Sequence, residues 1–269
     1  MKRSALMYLC VLSGFSLGGS SVLASRTGLV ESPTAKNVEL SVGVTYGLPG
    51  INIDLKNVKE ISSHPGYRFD TTELWEEQGT VANVAQKLTD LSQSVTAEGT
   101  FFFYFSGHGS TSGVLMQDRL MKITEIREAL EKGREGIGAL DRLVLMFDSC
   151  YSGALLDPVR QTIDSFLLPN ERANSFANSL VSELQSHNSR AAYWKKLFVF
   201  ASSRADETSQ AGSNGSAFTV SLRKAFDESA LTKSTLGEFI AKTQKYTESK
   251  HHPVARLVPA SLENEVLVP

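Results

Sequence analysis

Cysteine is scarce in this chain: 269 residues hold two, Cys10 and Cys150. An excess of charge of either sign is missing too. The formal net charge is −2, and no block of like charge interrupts the sequence. Nucleic acid and anionic membrane surfaces are therefore disfavoured as partners. Beyond residue 24 there is no Gly-x-Ser-x-Gly elbow, and nowhere is there a Walker loop or a His-Glu-x-x-His helix. The usual signatures of serine-elbow hydrolases, P-loop nucleotide binding and zinc-helix peptidases are thus missing. Internal repeats and low-complexity tracts are also lacking. What remains is ordinary globular composition, 41% hydrophobic and 21% charged, with enough material for one sizeable core.

The first 24 residues stand apart. Lys2 and Arg3 precede an apolar stretch from Ala5 to Phe15, and small residues lead to Val22-Leu23-Ala24. This is the pattern of a secretory signal peptide cleaved after Ala24. The apolar stretch is short and diluted by Ser and Gly, which disfavours an uncleaved anchor or stable membrane insertion after cleavage. The expected location is secreted or periplasmic. Cleavage removes Cys10 and leaves Cys150 as the one thiol, in a compartment where paired cysteines oxidise. A lone cysteine cannot close an internal disulfide. It is either inert packing or chemistry.

After a polar lead-in (25–37), the chain reads as one domain over 38–269. VELSVGVTYGL (38–48) predicts a strand ending in a Gly/Pro turn. INIDLKNVKEISSH (51–64) and TVANVAQKLTDLSQSV (80–95) place apolar residues at helical spacing, with Thr80 able to cap the second. TFFFYFSGHGS (100–110), LVLMF (143–147) and LFVFASS (197–203) are short apolar runs of the kind found in strands covered on both faces. A Gly-punctuated hairpin and the helix TEIREALEK (124–132) lie between the first two. Helices over 217–229 and 235–249 and a strand at 253–258 close the chain. Residues 154–195, polar and irregular with helical pieces, predict a mobile processing loop. Strands alternating with helices imply a mostly parallel sheet of about six strands between helix layers.

In such sheets ligands bind beyond the carboxyl ends of the strands. Three predicted strands run into SGHGS, DSCYSG and ASSRADE, so chemistry-bearing residues gather at one edge. Of five histidines, only His108 ends an apolar strand, and Gly107 and Gly109 flank it. Cys150 ends another, 42 positions on. An imidazole beside a thiol suffices for acyl transfer, since it takes the thiol proton during attack and returns it to the leaving amine. Taken singly, each residue has a plain structural reading, the cysteine as packing and the histidine as a turn residue. The pairing at matching strand ends sets a dyad level with that plain reading.

YFSGHGS (104–110) followed by LVLMFDSCYSG (143–153) resembles the paired signature of caspase-like cysteine peptidases, in particular metacaspases and bacterial orthocaspases. LPGINIDLKNV (48–58), GTVANVAQKL (79–88), FASSRADETSQ (200–210), GSAFTVSL (215–222) and HHPVARL (251–257) extend the resemblance over most of the chain. It implies a three-layer α/β/α sandwich, the caspase–haemoglobinase fold. The implied catalytic dyad is His108 and Cys150, with the backbone N–H groups of Gly109 and Cys150 holding the oxyanion. The implied specificity pocket contains Asp54, Asp148 and Ser106, and two carboxylates there suit an Arg or Lys side chain. The resemblance also implies protein or peptide substrates, a monomer, and no required cofactor.

The sequence departs from the family's pattern where its post-nucleophile histidine is Tyr151 and its pocket cysteine is Ile51. Several metacaspases use calcium, and Asp157 matches one of their calcium acids. The paired acids expected near the helix after the hairpin are replaced around Ile123-Thr124-Glu125, which disfavours calcium. Arg160, Arg172, Arg190, Lys195 and Lys196 are the expected self-cleavage positions. A catalytically silent, partner-binding module is the competing expectation.

Overall fold

The computed structural model describes residues 36–110, 112–150, 169–202, 211–249 and 252–267. The signal segment, most of the lead-in, Asp157 and Arg160 lie outside them.

Six strands form the central sheet in the order β10-β7-β6-β3-β1-β2. They are β1 (Asn37–Gly43), β2 (Phe69–Trp75), β3 (Thr100–Ser110), β6 (Leu140–Cys150), β7 (Trp194–Ala201) and β10 (Val254–Val258). Five run parallel, and β10 lies antiparallel on β7. Two short strands, β4 (Gly113–Leu115) and β5 (Leu120–Lys122), extend β3 as the expected hairpin. The fold is the α/β sandwich the alternating pattern predicts.

The period-2 alternation of side chains divides the core in two. Val38, Leu40, Phe101, Phe103, Leu143, Leu145, Leu197 and Val199 face one side. There they are covered by α2 (Val81–Ser94), α3 (Ile123–Arg134) and α4 (Pro169–Asn188). Phe102, Tyr104, Met146, Phe198 and Phe200 face the other. Over them lie α1 (Ile51–Ser62), α5 (Ala217–Thr232) and α6 (Leu236–Thr247). With both faces covered, β3 and β6 contain no solvent-facing register, which explains why they read as unbroken apolar runs. Each fully buried Phe or Leu contributes roughly 1.5–3 kcal/mol relative to exposure.

Helix starts follow local chemistry. Thr80 accepts from the backbone N–H of Asn83, and Thr235 and Glu238 form a reciprocal capping box on α6. Asp118, on the β4–β5 turn, accepts from the backbone N–H of Val81 at 2.8 Å and ties the hairpin to α2.

Two expectations need correction. The stretch 154–195, expected as a loop with helical pieces, lies outside the described residues up to 168, and beyond that it is not a loop. Pro169–Asn188 is a helix whose Phe176, Ala177, Leu180 and Leu184 are wholly buried against the sheet. Its Ser, Asn and Glu residues made it read as polar, but the 3.6-residue spacing of these four apolar positions supplies the stripe. β7 then begins at Trp194, so Lys195 and Lys196 are strand residues. The second correction is β2, FDTTELW, which the sequence reading omits. An edge strand pairs on one side only, and its mixed polar composition gave no buried-strand signal.

Candidate active site

β3 and β6 are adjacent and parallel, in register from Thr100↔Arg142 to His108↔Cys150. The two candidate dyad residues are therefore Cα partners at the carboxyl ends of neighbouring strands. His108 is half-buried. Gly107 before it is packed too closely for a side chain: a Cβ would lie 2.7 Å from the carbonyl oxygen of Val44 and 2.9 Å from Cζ of Phe105. That approach lets the loop after β1 lie along the edge, where Val44 donates to the carbonyl of Ser106 at 3.1 Å. Gly109 is paired with Val114 across β3 and β4, which fixes the backbone just past His108.

Two register positions back, Ser106 is paired with Asp148. Both are buried, and Asp54 from the first turn of α1 reaches them from above the sheet. The structure thus brings together the three pocket residues expected from the sequence. Ser106 Oγ donates to Asp54 Oδ2 at 3.0 Å, and the backbone N–H of Ser216 donates to Asp54 Oδ1 at 2.7 Å. Ser216 Oγ donates to Asp148 Oδ2, and so does Thr219 Oγ1 at 2.5 Å. Tyr104 completes the cluster, its hydroxyl 2.7 Å from Thr219 Oγ1 and 3.5 Å from Asp148 Oδ2.

The hairpin of β8 (Ala211–Gly212) and β9 (Gly215–Ser216) delivers Ser216. It requires glycine at 215, where φ is +96° and a Cβ would lie 2.9 Å from Asp54 Oδ1. Ser216 also caps α5, accepting from the backbone N–H of Thr219 at 3.0 Å. One serine therefore starts a helix and bridges two carboxyl groups.

Burial and the neighbouring Asp148 carboxyl push Asp54 up to about 8. Burial, with Asp148 and Asp54 nearby, holds the Tyr104 hydroxyl well above its ordinary value, so it remains a neutral donor. Asp54 is 0% exposed and makes no ion pair among the described residues, so it is not a solvated helix-start acid.

Tyr104, Ser216 and Thr219 were not anticipated. Tyr104 carried a usable signal, because a hydroxyl inside the run FFFYF needs a buried partner. Ser216 and Thr219 looked like ordinary helix-start residues.

Of the positions weighed for calcium, Asp157 lies outside the described residues. Both Glu125 oxygens are engaged by Arg119, at 2.7 and 3.0 Å, and one also accepts from the backbone N–H of Lys122. Ile123 is buried in the core. No group of three or more His, Cys, Asp or Glu suited to a metal occurs among the described residues.

Comparison with known proteins agrees with this architecture. A crystal structure of a protein from Geobacter sulfurreducens superposes with a TM-score of 0.61 at 18% identity, covering 86% of this chain and 97% of that one. That likeness is one of fold. No curated protein matches. The model of the caspase domain, a peptidase family, matches residues 39–259. The chain belongs to the caspase domain family.

Proposed function

We propose that the chain is a cysteine endopeptidase of metacaspase type that hydrolyses peptide bonds after Arg or Lys, with His108 and Cys150 as its dyad. The observation that carries this reading is the His108↔Cys150 register pair beside a buried pair of carboxyl groups. In the proposed reaction the Cys150 sulfur attacks the scissile carbonyl while the His108 imidazole takes its proton. The N–H groups of Gly109 and Cys150 hold the oxyanion. The C–N bond then breaks, and His108 protonates the leaving amine. Water, deprotonated by the same imidazole, releases the acyl group from sulfur and restores the thiol.

Asp54 and Asp148 supply the basic preference, because a guanidinium or ammonium satisfies buried carboxyl oxygens that an acidic side chain would repel. No step requires a metal, and the proposed enzyme acts as a monomer. The N-terminal segment supports export to the periplasm or the exterior. No helix among the described residues is long and apolar enough to cross a membrane.

The test is cleavage of fluorogenic peptides ending in Arg, Lys, Asn or Asp by purified residues 25–269, beside Cys150→Ala, with calcium and with chelator. Cys150-dependent cleavage after Arg or Lys is expected. Cleavage confined to Asn or Asp would retain the dyad and discard the pocket. Silence from a folded protein would favour a partner-binding module.

A further inference from the structure

Residues 44–50, which link β1 to α1, include no charged side chain. Their tightest turn runs from Thr45 to Leu48, closed by the backbone N–H of Leu48 donating to the carbonyl of Thr45 at 2.8 Å. Both central residues, Tyr46 and Gly47, have positive φ, +40° and +85°. Such turns favour Gly, Asn or Asp, because a bulky side chain is disfavoured in the left-handed region. Tyr46 therefore stands against local preference, which points to a role for its side chain.

That side chain is tied at its polar end. The hydroxyl donates to the carbonyls of Gln117 and Met116, at 2.5 and 3.3 Å, on the β4–β5 turn. Glu76 clamps the neighbouring Thr45, accepting from its hydroxyl at 2.6 Å. The hairpin is itself anchored beyond β2, where Gln117 donates its backbone N–H to the carbonyl of Gly79 at 2.9 Å. Loop and hairpin thus make a fixed wall on the β1 side of His108. Tyr46 is 48% exposed, the one aromatic side chain left this open among the described residues.

The direction from Cys150 to His108 decides what that wall would meet. The scissile carbon must reach the Cys150 sulfur, and the leaving nitrogen must reach the imidazole that protonates it. The leaving side of a substrate therefore extends past His108, away from β6. The next strand in that direction is β1. Just beyond its end, Val44 lies against Gly107 and donates to the carbonyl of Ser106. We propose that the ring of Tyr46 forms the subsite for the first residue after the cut and selects an apolar side chain there, Leu over Ala. The inference rests on the His108–Cys150 dyad reading above and does not depend on which residue is preferred before the cut. A ring whose hydroxyl is already engaged, in a loop without charge, offers an incoming side chain apolar burial and dispersion.

The experiment gives the full chain two internally quenched peptides that differ only in the first residue after the cut, Leu or Ala. The residue before the cut is whichever of Arg, Lys, Asn and Asp the fluorogenic peptides show to be accepted, and fragment masses locate the cleavage. Each protein is read by its own Leu-to-Ala ratio of kcat/KM, so losses of folded protein cancel. The wild type should favour Leu about tenfold. Tyr46→Asn removes the ring while suiting the turn, and its ratio should fall to within about twofold of unity. Tyr46→Phe removes the tether and keeps the ring, and should hold at least about half of the wild-type ratio. A wild type without preference, or a Tyr46→Asn protein that keeps it, would overturn the subsite. Equal loss in the Phe and Asn variants would overturn it too, since Tyr46 would then act as a strap on the hairpin. Silence of the folded wild type toward both peptides would overturn the peptidase reading and the subsite together.

Discussion

His108 and Cys150 are register partners on adjacent parallel strands, both at the last step of the ladder between β3 and β6. Parallel neighbours keep their partners level, so a one-residue slip in either strand would break this pairing and that of Ser106 with Asp148 together. The same register that packs Phe101, Phe103 and Phe105 therefore also sets the candidate chemistry.

Cys150→Ala and His108→Ala should each lower peptide cleavage at least about 10³-fold. Neither should move the unfolding midpoint by more than about 1 kcal/mol, since both residues lie at the open end of the ladder. Rates measured beside urea unfolding curves check this. A His108→Ala protein with near-normal rates would remove the imidazole from the mechanism.

Ser216 links the fold to the proposed pocket, so its variants should affect both. Ser216→Ala loses the α5 cap and the hydroxyl on Asp148, and about 1–3 kcal/mol of stability should follow. KM for Arg-ended peptides should rise more than kcat falls, because the lost contact positions a binding group. Ser216→Thr keeps the oxygen and should recover most of both. Equal losses in the Ala and Thr variants would show that steric fit at this position outweighs the hydrogen bonds.

The parallel strands and the sheet edge that carries His108 and Cys150 were legible because buried parallel strands leave unbroken apolar runs, and those runs end where polar residues begin. SGHGS and DSCYSG marked one edge without any coordinates. Asp54 and Asp148 stood out only through family resemblance; composition alone gives Asp54 the look of a helix-start acid. β2 was missed because an edge strand need not be apolar, and α4 because small polar residues diluted its stripe. Ser216 was beyond reach for a different reason. Its contacts to Asp54 and Asp148 span 162 and 68 positions, and no local pattern reports such distances.

Stability should fall as pH rises through the neutral range. Asp54 has an ordinary value of 3.8 and sits near 8 in the fold, so between these values the folded state binds more protons than the unfolded chain. The contribution is complete below about pH 4, declines as pH rises, and levels off above about 8. The slope contributed by Asp54 approaches ~1.4 kcal/mol per pH unit at most. Urea midpoints of wild type and Asp54→Asn from pH 5 to 8.5 isolate it: the wild type should lose ground to the variant as pH rises. Parallel curves would mean that Asp54 is already ionised in the folded protein.

Self-cleavage, if it accompanies activity, should avoid β7. A peptidase needs its substrate extended and free of other pairing, yet Lys195 and Lys196 lie in a strand held between β6 and β10. Lys196 is also paired with Asp141 and Glu265, and Lys195 Nζ donates to the carbonyl of Ala97. Arg172 is a residue of helix α4. Arg190 is different: it is exposed in the turn that follows α4, ahead of the strand. On incubation of the active protein, Arg190→Gln should delete a fragment boundary, whereas Lys195→Gln and Lys196→Gln should leave the pattern unchanged. Mass spectrometry of the fragments reads this directly. A cut after Lys196 would mean that β7 leaves the sheet before processing, and would replace a surface-nicking picture with one of partial unfolding.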